Sequence, residues 1–313
     1  MIISLGEALI DFISKDKLDF AGFPGGSPYN TSIGIARQGI PCQFLGRVSR
    51  DMFGIQLIDY LKKNAVGTDL VVPTDDPTTL SFVQKQYDGQ AQYAFFANGT
   101  ADRFWKEEDL NSLVLPEEAK MLHFGSISLT QEPCGEILTN FLLEKASHLL
   151  LSFDPNIRPS LVPDREAYME RFHKLCKLCS IIKLSDEDLE WLFPEISMEK
   201  ALSVLMTAGI SLIALTEGKA GARLITKNRT VVSPLYDLPV SDTVGAGDTF
   251  HGAILTYLYR KGIFSREGLR NLDEADLKEL GAFANKAAGI NCHRSGANPP
   301  TDKEMDSEAF SLS

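Results

Sequence analysis

The chain has 313 residues, of which 44% are apolar and 23% charged, and carries a formal net charge of −11. With a mean hydropathy of −0.06 and no run of about 18 apolar residues, the sequence offers no membrane span, and its acidic balance without a basic run excludes a polyanion such as nucleic acid as partner. The N-terminus, Met1 to Glu7, lacks a basic region and meets Glu7 and Asp11 early, so it reads as a first strand instead of a signal peptide, and the expected location is the cytoplasm.

The elements follow in a regular rhythm. Apolar runs at Ile2–Leu5, Cys42–Val48, Met121–Phe124, Leu149–Phe153, Ile181–Leu184 and Leu212–Leu215 predict buried strands. Between them, amphipathic patterns predict helices near Asn30–Gln38, Phe53–Lys63, Cys134–Ser147, Arg165–Cys179 and Glu199–Ala208. Strand then helix, repeated, implies a mostly parallel sheet covered on both faces, a three-layer α/β/α body. A short hairpin is expected at Gly221–Thr226 and Arg229–Ser233, followed by helices near Thr249–Lys261 and Asp276–Cys292. Two stretches break the rhythm: 12–23, and 70–100, where Thr79–Gln84 and Gln92–Phe96 alternate with period two around an Asp88-Gly89 turn. These predict a small β lid made of insertions into one domain spanning 1–313, with Phe82, Tyr93 and Phe95 on its apolar face. Such a face needs covering by substrate, by the body or by a second subunit, and a homodimer through the lid is expected. The polar stretch from Asp302 to Ser313 reads as a loosely held tail.

Five cysteines, an odd number in a long chain, read as reduced thiols, and the C-x-x-C at Cys176 and Cys179 lacks a second pair to complete a zinc site. His123, His148, His173, His251 and His293 are scattered, so no protein-bound transition metal is expected. The chemistry concentrates at Asp242-Thr243-Val244-Gly245-Ala246-Gly247-Asp248-Thr249-Phe250, a glycine-rich turn running into a helix. Gly245, Ala246 and Gly247 let backbone N–H groups approach an anion, and the helix adds its positive end. Beside such an anion hole, the Asp248 carboxylate repels the anion unless it accepts a proton from a group attacking it, which is the arrangement of phosphoryl transfer to a hydroxyl. A plain helix N-cap is the alternative role for Asp248. The absence of G-x-G-x-x-G after the first strand, where Gly6 to Asp11 stand, argues against a dinucleotide-dependent oxidoreductase.

This glycine-rich segment, together with Gly25-Gly26-Ser27-Pro28-Tyr29-Asn30, Ala36-Arg37-Gln38-Gly39, Leu45-Gly46-Arg47-Val48 and Asp51-Met52-Phe53-Gly54, resembles the PfkB family of carbohydrate kinases, the ribokinase-like group, over nearly the whole chain. Asp154-Pro155-Asn156-Ile157-Arg158-Pro159, Gly99-Thr100-Ala101-Asp102 and Lys183-Leu184-Ser185-Asp186-Glu187 are most similar to its bacterial fructokinases, while 2-keto-3-deoxygluconate kinases and ribokinases share much of the pattern. The resemblance implies a ribokinase-like fold and ATP-dependent phosphorylation of a primary hydroxyl of a ketohexose such as D-fructose. It implies Asp248 as base, Gly245 to Gly247 as the cradle of the γ-phosphoryl, and Asp11, Gly25, Gly26, Asn30, Phe95 and Arg158 at the sugar. On the nucleotide side it implies Lys183, Thr216, Gly218, Gly221 and Asn285. Where the family commonly carries N-x-x-E this chain has Ser185 and Asp188, implying magnesium held by Asp188 through water. Potassium beside Asp242, faced by the loop from Asn291 to Gly296, is implied as a modest activator because Pro300 offers only a carbonyl.

Overall fold

The structure, a computed structural model, describes residues 1–16, 18–85 and 91–307, and the side chains of 85 and 91–93 are not part of that description. In chain order, β1 (Ile2–Leu5) is followed by β2 (Leu9–Asp16), β3 (Asp19–Gly25) and α1 (Ser27–Arg37). Then come β4 (Cys42–Leu45), β5 (Arg47–Ser49), α2 (Met52–Lys63), β6 (Val72–Thr74), β7 (Thr79–Lys85) and β8 (Ala91–Phe96). The middle of the chain forms α3 (Glu107–Asn111), β9 (Met121–Gly125), α4 (Cys134–Lys145), β10 (Leu150–Asp154), α5 (Arg165–Leu178), β11 (Ile181–Ser185), α6 (Asp186–Leu192) and α7 (Met198–Ala208). The last third forms β12 (Leu212–Thr216), β13 (Ala222–Ile225), β14 (Thr230–Ser233), α8 (Ala246–Arg260), α9 (Arg266–Arg270), α10 (Glu274–Cys292) and α11 (Asp302–Met305).

An eight-stranded sheet runs β14-β13-β12-β11-β10-β9-β1-β4, parallel from β12 to β4 and antiparallel in the β12-β13-β14 edge. Its parallel strands are buried on both faces, so that their successive side chains serve opposite cores, whereas the edge strand β14 exposes alternate residues. Ile2, Ile181 and Leu212 join the core under α1, α2, α8 and α10, while Ile3, Ile182 and Ile213 join the one under α4, α5 and α7. Continuous apolar runs produce this because a strand covered twice has no solvent face to keep polar. β4 lies on one side of β1 and β9 on the other, so the chain reverses its direction of growth there and opens a crevice beyond the carboxyl ends of both strands.

Beside the body, β3-β2-β7-β8 make a four-stranded sheet from segments far apart in sequence, with β2 antiparallel to β3, parallel to β7, and β7 antiparallel to β8. Its register corrects the expected lid face. Ser81 pairs with Phe95 and Phe82 with Ala94, so Phe82 and Phe95 occupy opposite faces. Phe82 instead stacks on Phe12 at 5.0 Å, and Phe12 meets Phe53 of α2 edge-on at 5.8 Å. The Tyr93 side chain and the Asp88-Gly89 turn lie outside the described residues. The C-terminal stretch also departs from expectation. Thr301 caps α11, Met305 is buried in the core, and Glu304 pairs with Arg294 at 2.6 Å, which anchors the chain as far as the described residues reach. All five cysteines are free, with Cys176 and Cys179 buried, and among the described residues no group of His, Cys, Asp and Glu could hold a metal ion.

Candidate active site

α8 begins at the glycine turn and points its N-terminus into the crevice. Gly245 adopts φ 73°, and a Cβ there would lie 2.7 Å from the Ala297 Cβ, so only glycine fits both the dihedral and the space. One helical turn later Asp248 is 8% exposed and accepts hydrogen bonds from the Ser27 hydroxyl at 2.6 Å and the Asn30 amide at 2.9 Å. Burial pushes its carboxyl up to about 6, against the hydrogen bonds from Ser27 and Asn30 and the charge of Lys183, with the Asp154 charge adding to the rise. A plain N-cap accepts from its own helix backbone; Gly245, not Asp248, occupies the cap position, and Asp248 faces α1. That leaves Asp248 a carboxylate poised to take a proton near neutral pH.

Around it a cavity of about 310 Å³ is lined by Glu7, Leu9, Asp11, Gly26, Ser27, Asn30, Phe95, Ser126, Ile127, Asn156, Arg158, Lys183 and the stretch from Thr243 to Asp248. Of the expected residues the cavity brings together Asp11, Gly26, Asn30, Phe95, Arg158, Gly245, Ala246, Gly247 and Asp248, with Lys183, expected on the nucleotide side, among them. Gly25 stands just behind, where a Cβ would run into the Asp11 carboxylate. Asp11 accepts from the Ser81 hydroxyl across β2 and β7; burial raises its pKa, against that hydrogen bond and the positive Arg158. Arg158 donates to Asn156 Oδ1 at 2.9 Å and to the Ile157 carbonyl at 3.1 Å, which fixes its guanidinium in the wall.

Below the start of α8 lies a buried charge pair. Lys183 Nζ is 3.0 Å from Asp154 Oδ2, and a Cβ on Gly247 would sit 2.8 Å from that ammonium. Burial opposes the Lys183 charge, but Asp154, Asp188 and Asp248 outweigh it and raise its pKa; burial likewise opposes the Asp154 charge, and Lys183 and His251 carry it below the ordinary carboxylate range. Both groups are therefore ionised, and the lysine places a full positive charge where the helix end already favours an anion. The two histidines nearest, His251 and His123, lie with ring centroids 4.5 Å apart, and burial drives the pKa of both down.

The remaining expected residues stand outside this cavity and form a row along the strand ends. Ser185 pairs with Thr216, Thr216 with Ala222 and Ala222 with Ser233, whose carbonyl and hydroxyl accept from the Asn285 amide at 3.1 and 2.9 Å. Gly218 and Gly221 turn the chain between β12 and β13 with φ 51° and 91°. Asp188 Oδ1 accepts from Ile157 N at 2.7 Å, and Oδ2 accepts from Ser185 N at 2.9 Å and Ser185 Oγ at 2.8 Å. Asp242 accepts from Val244 N at 3.1 Å and Gly296 N at 3.0 Å, tying the glycine turn to the facing loop. Sequence reasoning gave no role to Glu7, Ser27, Ser126, Ile127 or Asn156. Ser27 and Asn156 sit inside motifs that were recognised, whereas nothing local marks Ile127.

The pfkB family carbohydrate kinase model matches residues 1–304. A fructokinase of Rhizobium leguminosarum bv. trifolii is 38% identical over 282 residues, 89% of this chain and 86% of that protein. Probable fructokinase-4 of Arabidopsis thaliana is 36% identical over 321 residues, covering 98% of this chain and 96% of that protein. Among solved structures, fructokinase with bound ATP from Xylella fastidiosa matches with a TM-score of 0.88 at 27% identity, over 97% of this chain and 96% of that one. With a buried carboxylate, a glycine-rich helix N-terminus and a polar crevice in one place, and the family model spanning nearly all of the sequence, the chain belongs to the pfkB family of carbohydrate kinases.

Proposed function

We propose that the protein phosphorylates the primary hydroxyl of D-fructose with ATP. The observation that carries this is the buried Asp248 carboxylate, with a pKa near 6, beside the backbone amides of Gly245 to Gly247. The sugar hydroxyl oxygen attacks the γ-phosphorus, its proton passes to Asp248, and the bond from phosphorus to the bridging oxygen of ADP breaks. The N–H groups of Gly245 and Gly247 and the Lys183 ammonium hold the phosphoryl oxygens as charge redistributes, the Ala246 N–H being turned to the Thr243 carbonyl at 3.2 Å. Asp11, Asn30 and Arg158 orient the sugar, since buried hydrogen-bonding groups reject a ligand whose hydroxyls are misplaced. The fructokinases among the relatives support fructose as the acceptor and ATP as the donor. Arg158 in the cavity wall favours one second reading, an acid sugar such as 2-keto-3-deoxygluconate, whose carboxylate it could pair. An ADP-release assay over fructose, tagatose, ribose and 2-keto-3-deoxygluconate tests the assignment. The highest kcat/KM belongs to fructose; preference for the acid sugar moves the assignment to the second reading.

Magnesium enters as part of the nucleotide substrate. Asp188 Oδ2 is taken up by Ser185, while Oδ1 accepts the N–H of Ile157 and keeps a lone pair for a water of an ion that retains most of its hydration. A monovalent cation has a second place. Each Asp242 oxygen accepts a single N–H and keeps a lone pair for potassium, which would order the glycine turn without touching substrate. Replacing potassium by a bulky organic cation at fixed ionic strength is expected to lower kcat/KM modestly; equal rates overturn the site, and activation that survives Asp242→Ala moves it elsewhere.

The lid face bearing Phe82 also carries the 63% exposed Phe96, and the adjoining α2 exposes Met52 and Ile55. A second copy covering this surface is the proposed dimer. Sedimentation at micromolar concentration should report a dimer, and Phe96→Glu should dissociate it; a monomeric parent protein overturns the proposal.

A further inference from the structure

Ser27, the first residue of α1, has a backbone held from one side and a hydroxyl committed on the other. Its N–H donates to Glu7 Oε1 at 3.1 Å, and Glu7 Oε2 accepts the Ser128 hydroxyl. Gly26 adopts φ 112°, and a Cβ there would lie 2.5 Å from the Glu7 carbonyl oxygen, so the turn is pressed onto the backbone beyond β1. Pinned in this way, the Ser27 hydroxyl makes one hydrogen bond, to Asp248 Oδ1 at 2.6 Å, while Asn30 holds Oδ2 at 2.9 Å. Two donors from one helix fix the plane of the carboxylate, and each oxygen keeps a second lone pair for a sugar hydroxyl. We propose that Ser27, clamped through Glu7, is a positioning residue of the phosphoryl transfer, whose hydroxyl orients the Asp248 carboxylate toward the sugar and stabilises its ionised form. This rests on the reading of Asp248 as the base.

The charges facing Asp248 from the surrounding elements are those of Lys183 on β11, which favours ionisation, and Asp154 on β10, which opposes it. Glu7 beyond β1, Asp11 on β2, Arg158 after β10 and His251 on α8 complete the titratable groups around the site. Substituting Ser27 alters none of them. Removing a hydroxyl that donates to the charged form raises the carboxylate's pKa, so more alkaline solution is needed to ionise the base.

The test is the dependence of kcat/KM for fructose on pH, measured from about pH 5 to 9 on the full-length wild type, Ser27→Ala, Ser27→Cys and Asp248→Asn. The acid limb of Ser27→Ala is expected to move up by about one pH unit, a tenfold loss on the acid side that shrinks toward parity in alkaline solution. Ser27→Cys keeps the volume with a weaker donor and should fall between the two, which also serves if the alanine variant does not fold. An unmoved limb, or an equal loss at every pH, overturns the positioning role. A wild-type acid limb that survives in Asp248→Asn is a different failure, that of the base assignment itself.

Discussion

Asp248→Asn is expected to lower kcat by about 10²–10⁴ with the KM for sugar little changed, because the amide keeps the shape of the carboxylate and cannot take the proton. Wild-type activity should fall as pH drops through about 6, where burial has placed the ionisation of Asp248. The same shift has a stability consequence of opposite sense. A carboxyl raised from 3.8 to about 6 binds its proton more tightly in the folded chain than in the unfolded one, so stability falls as pH rises between those values and the penalty is complete above them. Its size is on the order of 3 kcal/mol. Asp248→Asn therefore loses turnover while melting at an equal or higher temperature than wild type at alkaline pH. Near-normal turnover in a folded Asp248→Asn protein would remove Asp248 from the mechanism.

Lys183→Met should be the most destabilising single change at the site. It leaves Asp154 buried with only the His251 imidazole, whose burial disfavours its charged form, beside it, and Asp154 Oδ1 already lacks a hydrogen-bond partner among the described residues. Breaking a buried pair from one side costs about 3–5 kcal/mol, whereas removing both charges together is often nearly neutral. The double variant Lys183→Met with Asp154→Asn should consequently recover most of the lost melting temperature. The deficit of the single variant should shrink in acid, since Asp154, no longer held low by the ammonium, takes up a proton and ceases to be an uncompensated charge. Turnover should stay low in both variants because the positive charge under Gly247 is gone. If the double variant melts below the single one, the pair is not what holds this region together.

What the sequence determined by itself was whatever neighbours along the chain encode. Five buried strand runs were readable because a parallel strand covered on both faces is largely apolar, while Cys42–Val48, expected as one strand, divides into β4 of the large sheet and β5 of a separate pair with β6; the glycine turn was readable because Gly245, Ala246, Gly247 and Asp248 are consecutive and share one helix end. Alternation within β7 and β8 was equally visible, but which face of one meets which face of the other depends on cross-strand register, and a difference of one residue put Phe82 on Phe12, which in turn meets Phe53, instead of with Phe95. The ion pairs and the buried Met305 that anchor α11 also lay beyond local reading, since a polar segment looks the same whether or not its charges find partners. Only the tertiary structure decided how the Asp248 carboxylate is held. Ser27 and Asp248 are 221 positions apart and meet because α1 packs against α8; Lys183 and Asp154, 29 apart, meet because β10 and β11 are neighbours. Orientation and charge state arise from groups that converge in space, and convergence follows from how the helices and strands pack.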